Sequence, residues 1–141
     1  MLVAALHGPN FNVLERRDAS VYGGLALAEL EGRIREWGTE LGCDVVCRQT
    51  NHEGEYVEWC QELGGSAGGL LVNPGAWSHY SYAIRDALEL ARCPVVEVHI
   101  SDIEGREEWR RHSVLADIAA HRVIGKGMDG YREALAFLVR G

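Results

Sequence analysis

Lysine is nearly missing from this 141-residue chain: Lys126, in a Gly-Lys-Gly turn, is the single one. An imine-forming lysine needs an apolar pocket or a cationic neighbour to lose its proton. No apolar pattern surrounds Lys126, so the sequence argues against covalent amine chemistry. Positive charge is scarce overall. Lys+Arg total 14 against 21 Asp+Glu, leaving a formal net charge of -7. No basic run exceeds two residues, which removes the electrostatic footprint that phosphate-backbone binding requires, and nucleic acid is excluded as a partner. Long apolar runs are absent too. Nothing approaches the ~20 residues of a membrane span, and the first residues enter a strand directly instead of a signal-like segment, so no membrane association and a cytoplasmic location are expected.

Close cysteine pairs are also lacking. Cys43, Cys47, Cys60 and Cys93 fall inside apolar segments at spacings unlike those of zinc sites, and read as reduced, buried small hydrophobes. The six histidines lie on different segments, none paired with another at helical ligand spacing, so no metal is expected. Gly23-Gly24 and Gly68-Gly69 lack the lysine or the dinucleotide spacing of a phosphate-cradling loop, so no bound nucleotide is expected either.

What the chain does have is a regular alternation of short apolar runs and amphipathic stretches. Hydrophobic residues make up 47% of it and charged ones 25%, a globular composition, and the length suits one domain without linker or repeat. Met1–Leu6 reads as a strand that breaks into Gly8-Pro9-Asn10 and a long polar loop to Gly24. Leu25, Leu27, Leu30, Ile34, Trp37 and Leu41 recur at helical spacing up to Gly42. Strands follow at 43–49, 67–72, 94–100 and 121–124, with helices at 55–63, 77–92 and 130–139 between and after them. The near-continuous apolar character of Pro94 to Ile100 marks a strand buried on both faces. Five strands alternating with helices predict an α/β, flavodoxin-like, doubly wound five-stranded parallel sheet forming a single domain over residues 1–141.

In such a sheet ligands bind beyond the carboxyl ends of the strands. The loops after strands one, three and four share that rim, which would set Asn10, Arg17 and Tyr22 opposite Asn73, Gly75, Ala76 and His79, with His99 and Ser101 between. Each residue also has a plain structural reading. His99 lies in an apolar strand, where a hydrogen-bonded core histidine is common. Asn73 precedes Pro-Gly and suits a turn cap. Ser78 stands where it could cap the following helix. The opening loop could be an ordinary solvated connector.

Three ordered blocks resemble the type II 3-dehydroquinate dehydratases: Gly8-Pro9-Asn10 with Tyr22-Gly23; Asn73-Pro74-Gly75-Ala76 with Ser78-His79 and Arg85-Asp86-Ala87; and Glu97-Val98-His99-Ile100-Ser101 with Arg106-Glu107 and Arg110-Arg111-His112-Ser113. The resemblance runs along the whole chain. It implies cofactor-free anti elimination of water from 3-dehydroquinate, through an enolate, to 3-dehydroshikimate in the shikimate or quinate pathway. It maps the base onto Tyr22, activated by Arg17 on a mobile lid. A free tyrosine is only about one part in a thousand ionised at pH 7, and a close guanidinium favours the anion. It implies that Asn10 holds a water donating to the enolate oxygen, and that His99, oriented by Glu97, protonates the departing hydroxyl. Substrate hydroxyls would fall to Asn73, His79 and Arg110, beside Gly75 and Ala76, and the carboxylate to the backbone at Ile100 with Ser101. Asp86 would reach the site of a neighbouring subunit in a homo-oligomer, a dodecamer built from trimers.

The chain departs from that family's pattern at Glu15, where glycine is usual, at Asp18-Ala19 in place of Glu-Pro, and at Asp102 in place of asparagine. A carboxylate at Glu15 is placed to compete with Tyr22 for the Arg17 guanidinium. These departures keep two other readings open: a paralogue dehydrating a modified, for example amino-substituted, dehydroquinate, and a flavodoxin-like binding protein without turnover.

Overall fold

The computed structural model describes residues 1–141. Its strands are β1 (Leu2–His7), β2 (Asp44–Gln49), β3 (Gly69–Asn73), β4 (Val95–His99) and β5 (His121–Ile124). All pairings are parallel and the order is β2-β1-β3-β4-β5, the flavodoxin-like arrangement expected from the sequence. Side chains alternate between the two faces of a strand. Val3 and Ala5 of β1 therefore join one core, with Leu30 and Ile34 of α2 (Leu27–Leu41) and Tyr131, Ala134 and Leu135 of α6 (Asp129–Arg140). Ala4 and Leu6 join the other, with Tyr56 and Cys60 of α3 (Glu53–Gly64) and Ile84 and Leu88 of α4 (Tyr82–Glu89). The sheet is thus covered on both faces, which is why its strands read as unbroken apolar runs.

Registers set the functional rim. His7, the last residue of β1, stands level with Gln49 of β2 and Asn73 of β3, and His99 of β4 stands level with Ile124 of β5. The chain leaves β1 through Gly8, where a Cβ would lie 2.2 Å from the Pro74 carbonyl oxygen, so only glycine lets the first and third loops touch. Gly75, at φ +61, turns the third loop back over the sheet.

Three expectations need correction. The loop from Gly8 to Gly24 is not irregular: it holds a 3-10 turn, Phe11–Arg16, and a short helix α1, Ala19–Tyr22, capped by Asp18, which accepts from the Ser20 amide at 2.9 Å. Phe11 and Leu14 are buried and anchor this segment to the core. The helix expected over 77–92 is two pieces, a 3-10 turn at Gly75–His79 and then α4, and Arg92 lies beyond both. Ser78 is not its cap. The Ser78 hydroxyl donates back to the Gly75 carbonyl at 2.7 Å, and Ser81 caps α4 by accepting from the Ile84 amide at 3.1 Å. The Ser78 carbonyl is also taken, by the Val114 amide at 2.7 Å, which draws residues 113–118 over α4. Arg85 locks the same segment through the Val114 carbonyl and the Asp117 carboxylate.

Candidate active site

One cavity at the carboxyl rim brings together Arg17 and Tyr22 from the first loop, Asn73, Gly75, Ala76 and His79 from the third, and His99, Ile100, Ser101 and Arg110 from the fourth. All of these were expected from the sequence. Phe11, Ile103 and Arg106 line it as well and were given no role. The signal for Arg106 was present in the Arg106-Glu107 block. For the two apolar walls it was only their position beside polar site residues.

Charge converges on one oxygen. Arg17 Nη2 and Arg106 Nη1 each donate to the Tyr22 hydroxyl oxygen at 2.7 Å. The Arg17 guanidinium carbon also lies 3.9 Å from the centre of the Tyr22 ring. Tyr22 is buried, at 7% exposure, so these donors act with little competing water. Burial lowers the Arg17 pKa, the charge of Tyr22 opposes that, and the neighbouring Arg110 and Arg106 lower it further. The competing contact expected from Glu15 does not form: Glu15 is exposed, and Arg17 bonds Tyr22 instead. Asp102 does what the usual asparagine could do, accepting from the Glu104 amide at 3.2 Å to cap the turn at Ile103–Gly105.

The second polar cluster centres on Glu97, which lies outside the cavity wall with no exposure. Its Oε2 meets His99 Nε2 at 2.5 Å and accepts from the Ser113 hydroxyl at 2.6 Å, while Oε1 accepts from Arg122 Nε at 2.9 Å. Burial alone would push this carboxyl up. The hydrogen bond and charge of His99, the Ser113 hydroxyl and the Arg122 charge outweigh it and hold the pKa down at about 2. Glu97 is therefore a fixed anion, and His99 has one nitrogen committed to it. His79 stacks at 6.4 Å from His99, and its Nδ1 pairs with the His112 carbonyl at 2.7 Å. Burial lowers the His79 pKa despite that bond. Arg110 Nε lies 2.7 Å from Glu107 Oε2, an ion contact without hydrogen-bond alignment.

Asn73 turns out to be both cap and wall. Its Oδ1 accepts from the Gly75 amide at 3.2 Å and its Nδ2 donates to the buried Tyr131 hydroxyl at 3.0 Å, which leaves one amide proton and one lone pair for a ligand. Besides Glu97, two expected residues do not reach the cavity. Asn10 is exposed in a left-handed conformation at φ 71, its amide held by Asn51 Oδ1 at 2.9 Å. Asp86 is exposed on α4.

The cavity is small, about 30 Å³, and Phe11, Arg17 and Tyr22 of the first loop are among its walls. A larger groove of about 680 Å³ lies on the other side of Tyr22, but His99, Asn73 and His79 are not in it. The convergent donors, rather than the larger volume, mark the site.

The family model for dehydroquinase class II matches residues 1–139. The 3-dehydroquinate dehydratase of Deinococcus radiodurans is 46% identical over 138 residues, covering 97% of this chain and 96% of that protein. That of Thermus thermophilus is 47% identical, covering 97% and 93%. Among solved structures, the type II dehydroquinase from Propionibacterium acnes superposes with a TM-score of 0.96 at 40% identity, covering 99% of this chain and 97% of that one. A 3-dehydroquinate dehydratase-like protein from Bifidobacterium longum superposes with a TM-score of 0.74 at 31% identity, covering 99% and 96%.

Proposed function

The chain belongs to the class II dehydroquinases, and from that membership we infer that it is a 3-dehydroquinate dehydratase, a hydro-lyase that takes water from 3-dehydroquinate to give 3-dehydroshikimate. The observation that carries the chemistry is the pair of arginines on one phenolic oxygen, facing a histidine backed by a buried carboxylate.

The residue roles follow from that pairing. Two guanidinium donors meet at the Tyr22 oxygen, and Tyr22 as the base takes the proton from the carbon beside the substrate ketone. Negative charge moves to the ketone oxygen; Asn10, which lies outside the cavity here, would have to move in with the first loop to hold the water that donates to the enolate. The hydroxyl leaves as water with a proton from His99, whose Nδ1 is free because Nε2 is committed to Glu97. One proton is taken and one is given, and solvent returns Tyr22 and His99 to their starting forms. Asn73, His79 and Arg110, with Gly75 and Ala76 alongside, hold the substrate hydroxyls. The Ile100 backbone and Ser101 hold its carboxylate. Arg106 works beside Arg17. Since the cavity is only about 30 Å³, the first loop opens to admit substrate.

The same reading extends to assembly and place. Asp86 is exposed on α4 near Tyr82 at 64% and Leu90 at 70% exposure, large apolar side chains that suit contact with another copy. A trimer-based dodecamer would carry Asp86 into a neighbour's site. Four free cysteines fit the reducing cytoplasm. No helix is long and apolar enough to cross a membrane. The test is direct: purified protein mixed with 3-dehydroquinate should generate the conjugated-enone absorbance of 3-dehydroshikimate, and Tyr22→Phe should abolish it. A folded wild type that leaves the absorbance flat would overturn the substrate.

A further inference from the structure

A cluster at the end of β1, outside the active-site cavity, is given no part in the dehydration. His7 ends β1 and follows Val3 and Ala5 onto the face covered by α2 and α6, where its ring is completely buried. Neither ring nitrogen has a hydrogen-bond partner. Its Nε2 lies 3.6 Å from Glu31 Oε2 of α2, too far for a hydrogen bond. Cys47 comes from the neighbouring β2, two residues before the position level with His7, and so points to the same face. One donor atom from each of the three lies within 4.8 Å of the others. None of them lines the active-site cavity.

We propose that His7, Glu31 and Cys47 form a binding site for one thiophilic divalent cation, with zinc the best fit. Zinc bonds of about 2.0–2.3 Å set tetrahedral ligand atoms about 3.4–3.8 Å apart. The His7–Glu31 separation already has that value, and Cys47 closes the remaining gap of about 1 Å. An imidazole, a thiolate and a carboxylate select zinc over the hard cations magnesium and calcium. The two anionic ligands cancel the ion's charge, so the centre is neutral where it is buried. The thiol proton of Cys47 passes to solvent as the sulfur–metal bond forms. Glu31 and Cys47 are only partly buried and β2 is an edge strand, which leaves an entry path and room for water at the fourth position. Arg35, one turn further along α2, is the one nearby charge that opposes the cation. Bound metal would tie β1, β2 and α2 together at the root of the first catalytic loop.

The probe is Co²⁺ added to chelator-treated protein, read by the thiolate-to-cobalt charge-transfer absorbance. The expected result is saturation at one cobalt per chain, displacement by Zn²⁺, loss of the band in Cys47→Ser and its retention in Cys43→Ser and Cys93→Ser. Zn²⁺ should raise the melting temperature of the wild type and not of Cys47→Ser, whose metal-free melting shows that it folds. No saturable band, or a band that survives Cys47→Ser, overturns the site. Neither readout depends on dehydratase activity.

Discussion

Glu97 and His99 stand two residues apart on one face of β4, with 2.5 Å between Oε2 and Nε2, and the carboxylate is fully buried behind the ring. Ser113 and Arg122 add to its hydrogen bonds, so both oxygens of the buried anion are partnered. This fixes the ring orientation.

The pair makes stability acid-sensitive. Held at about 2 instead of its ordinary 4.5, the Glu97 carboxyl contributes stability that is fully present above pH 4.5 and is lost as pH falls through about 2. The contribution is roughly 3 kcal/mol. Urea unfolding of wild type and Glu97→Gln, followed from pH 6 down to 2, should show the wild type losing stability faster by about that amount. Parallel curves would mean that the interactions with His99, Ser113 and Arg122 do not stabilise the ionised form.

Removal of His99 tests its chemical role. His99→Ala should lower kcat by about 10²–10⁴-fold, the usual worth of general acid catalysis. Glu97→Gln should cost less in kcat, because the ring stays in place but loses its anionic partner. A Glu97→Gln enzyme with the wild-type rate would reduce the carboxylate to a structural role.

The two arginines on Tyr22 act as a unit, so their removal should be non-additive. Arg17→Lys and Arg106→Lys each keep a positive charge but lose the planar fork that reaches the phenolic oxygen. Each should depress kcat by at least about tenfold with a smaller change in KM, and the double variant should fall short of the product of the two. Strict multiplicativity would separate their roles.

Much of this site could be read from the residue string because its members cluster at strand ends, where Asn73, His99 and the Gly8-Pro9-Asn10 turn announce themselves. β5 was legible to the residue because Gly125 ends it sharply. The break between the 3-10 turn at Gly75–His79 and α4 was not. Ser78 and Ser81 are equally good caps in one dimension, and the choice is made by a long-range bond from Val114 to the Ser78 carbonyl. The Glu15 carboxylate looked like a rival for Arg17 because neighbours in sequence look like neighbours in space. Folding of α1 turns Arg17 onto Tyr22 instead. His7, Glu31 and Cys47 carried no spacing signal, since three elements deliver one side chain each. Arg106 was visible within a block, but its bond to Tyr22 spans 84 residues.

Gly8 offers a check on the rim itself. A methyl group there would press on the Pro74 carbonyl at 2.2 Å, and neither backbone can give way without moving the catalytic loops. Gly8→Ala should destabilise by about 1–3 kcal/mol in denaturant unfolding and cut kcat in the protein that stays folded. Retention of both would place the loops further apart than described.

Asp86 provides the sharpest test of assembly. It is exposed and does not line its own cavity, so a direct part in turnover would be played in another copy's site. Tyr22→Phe removes the base from one subunit's cavity and Asp86→Ala removes the carboxylate supplied to a neighbour's. If each variant alone is impaired, subunits exchanged by mild denaturation and renaturation should regain activity, because some mixed interfaces pair an intact Tyr22 with an intact Asp86. In trimers with random mixing, the regained fraction should follow the proportion of the two chains and peak near an equal mixture. If the mixture shows only the sum of the separate activities while native mass reports mixed oligomers, Asp86 acts within its own subunit or not at all, and the shared-site arrangement falls.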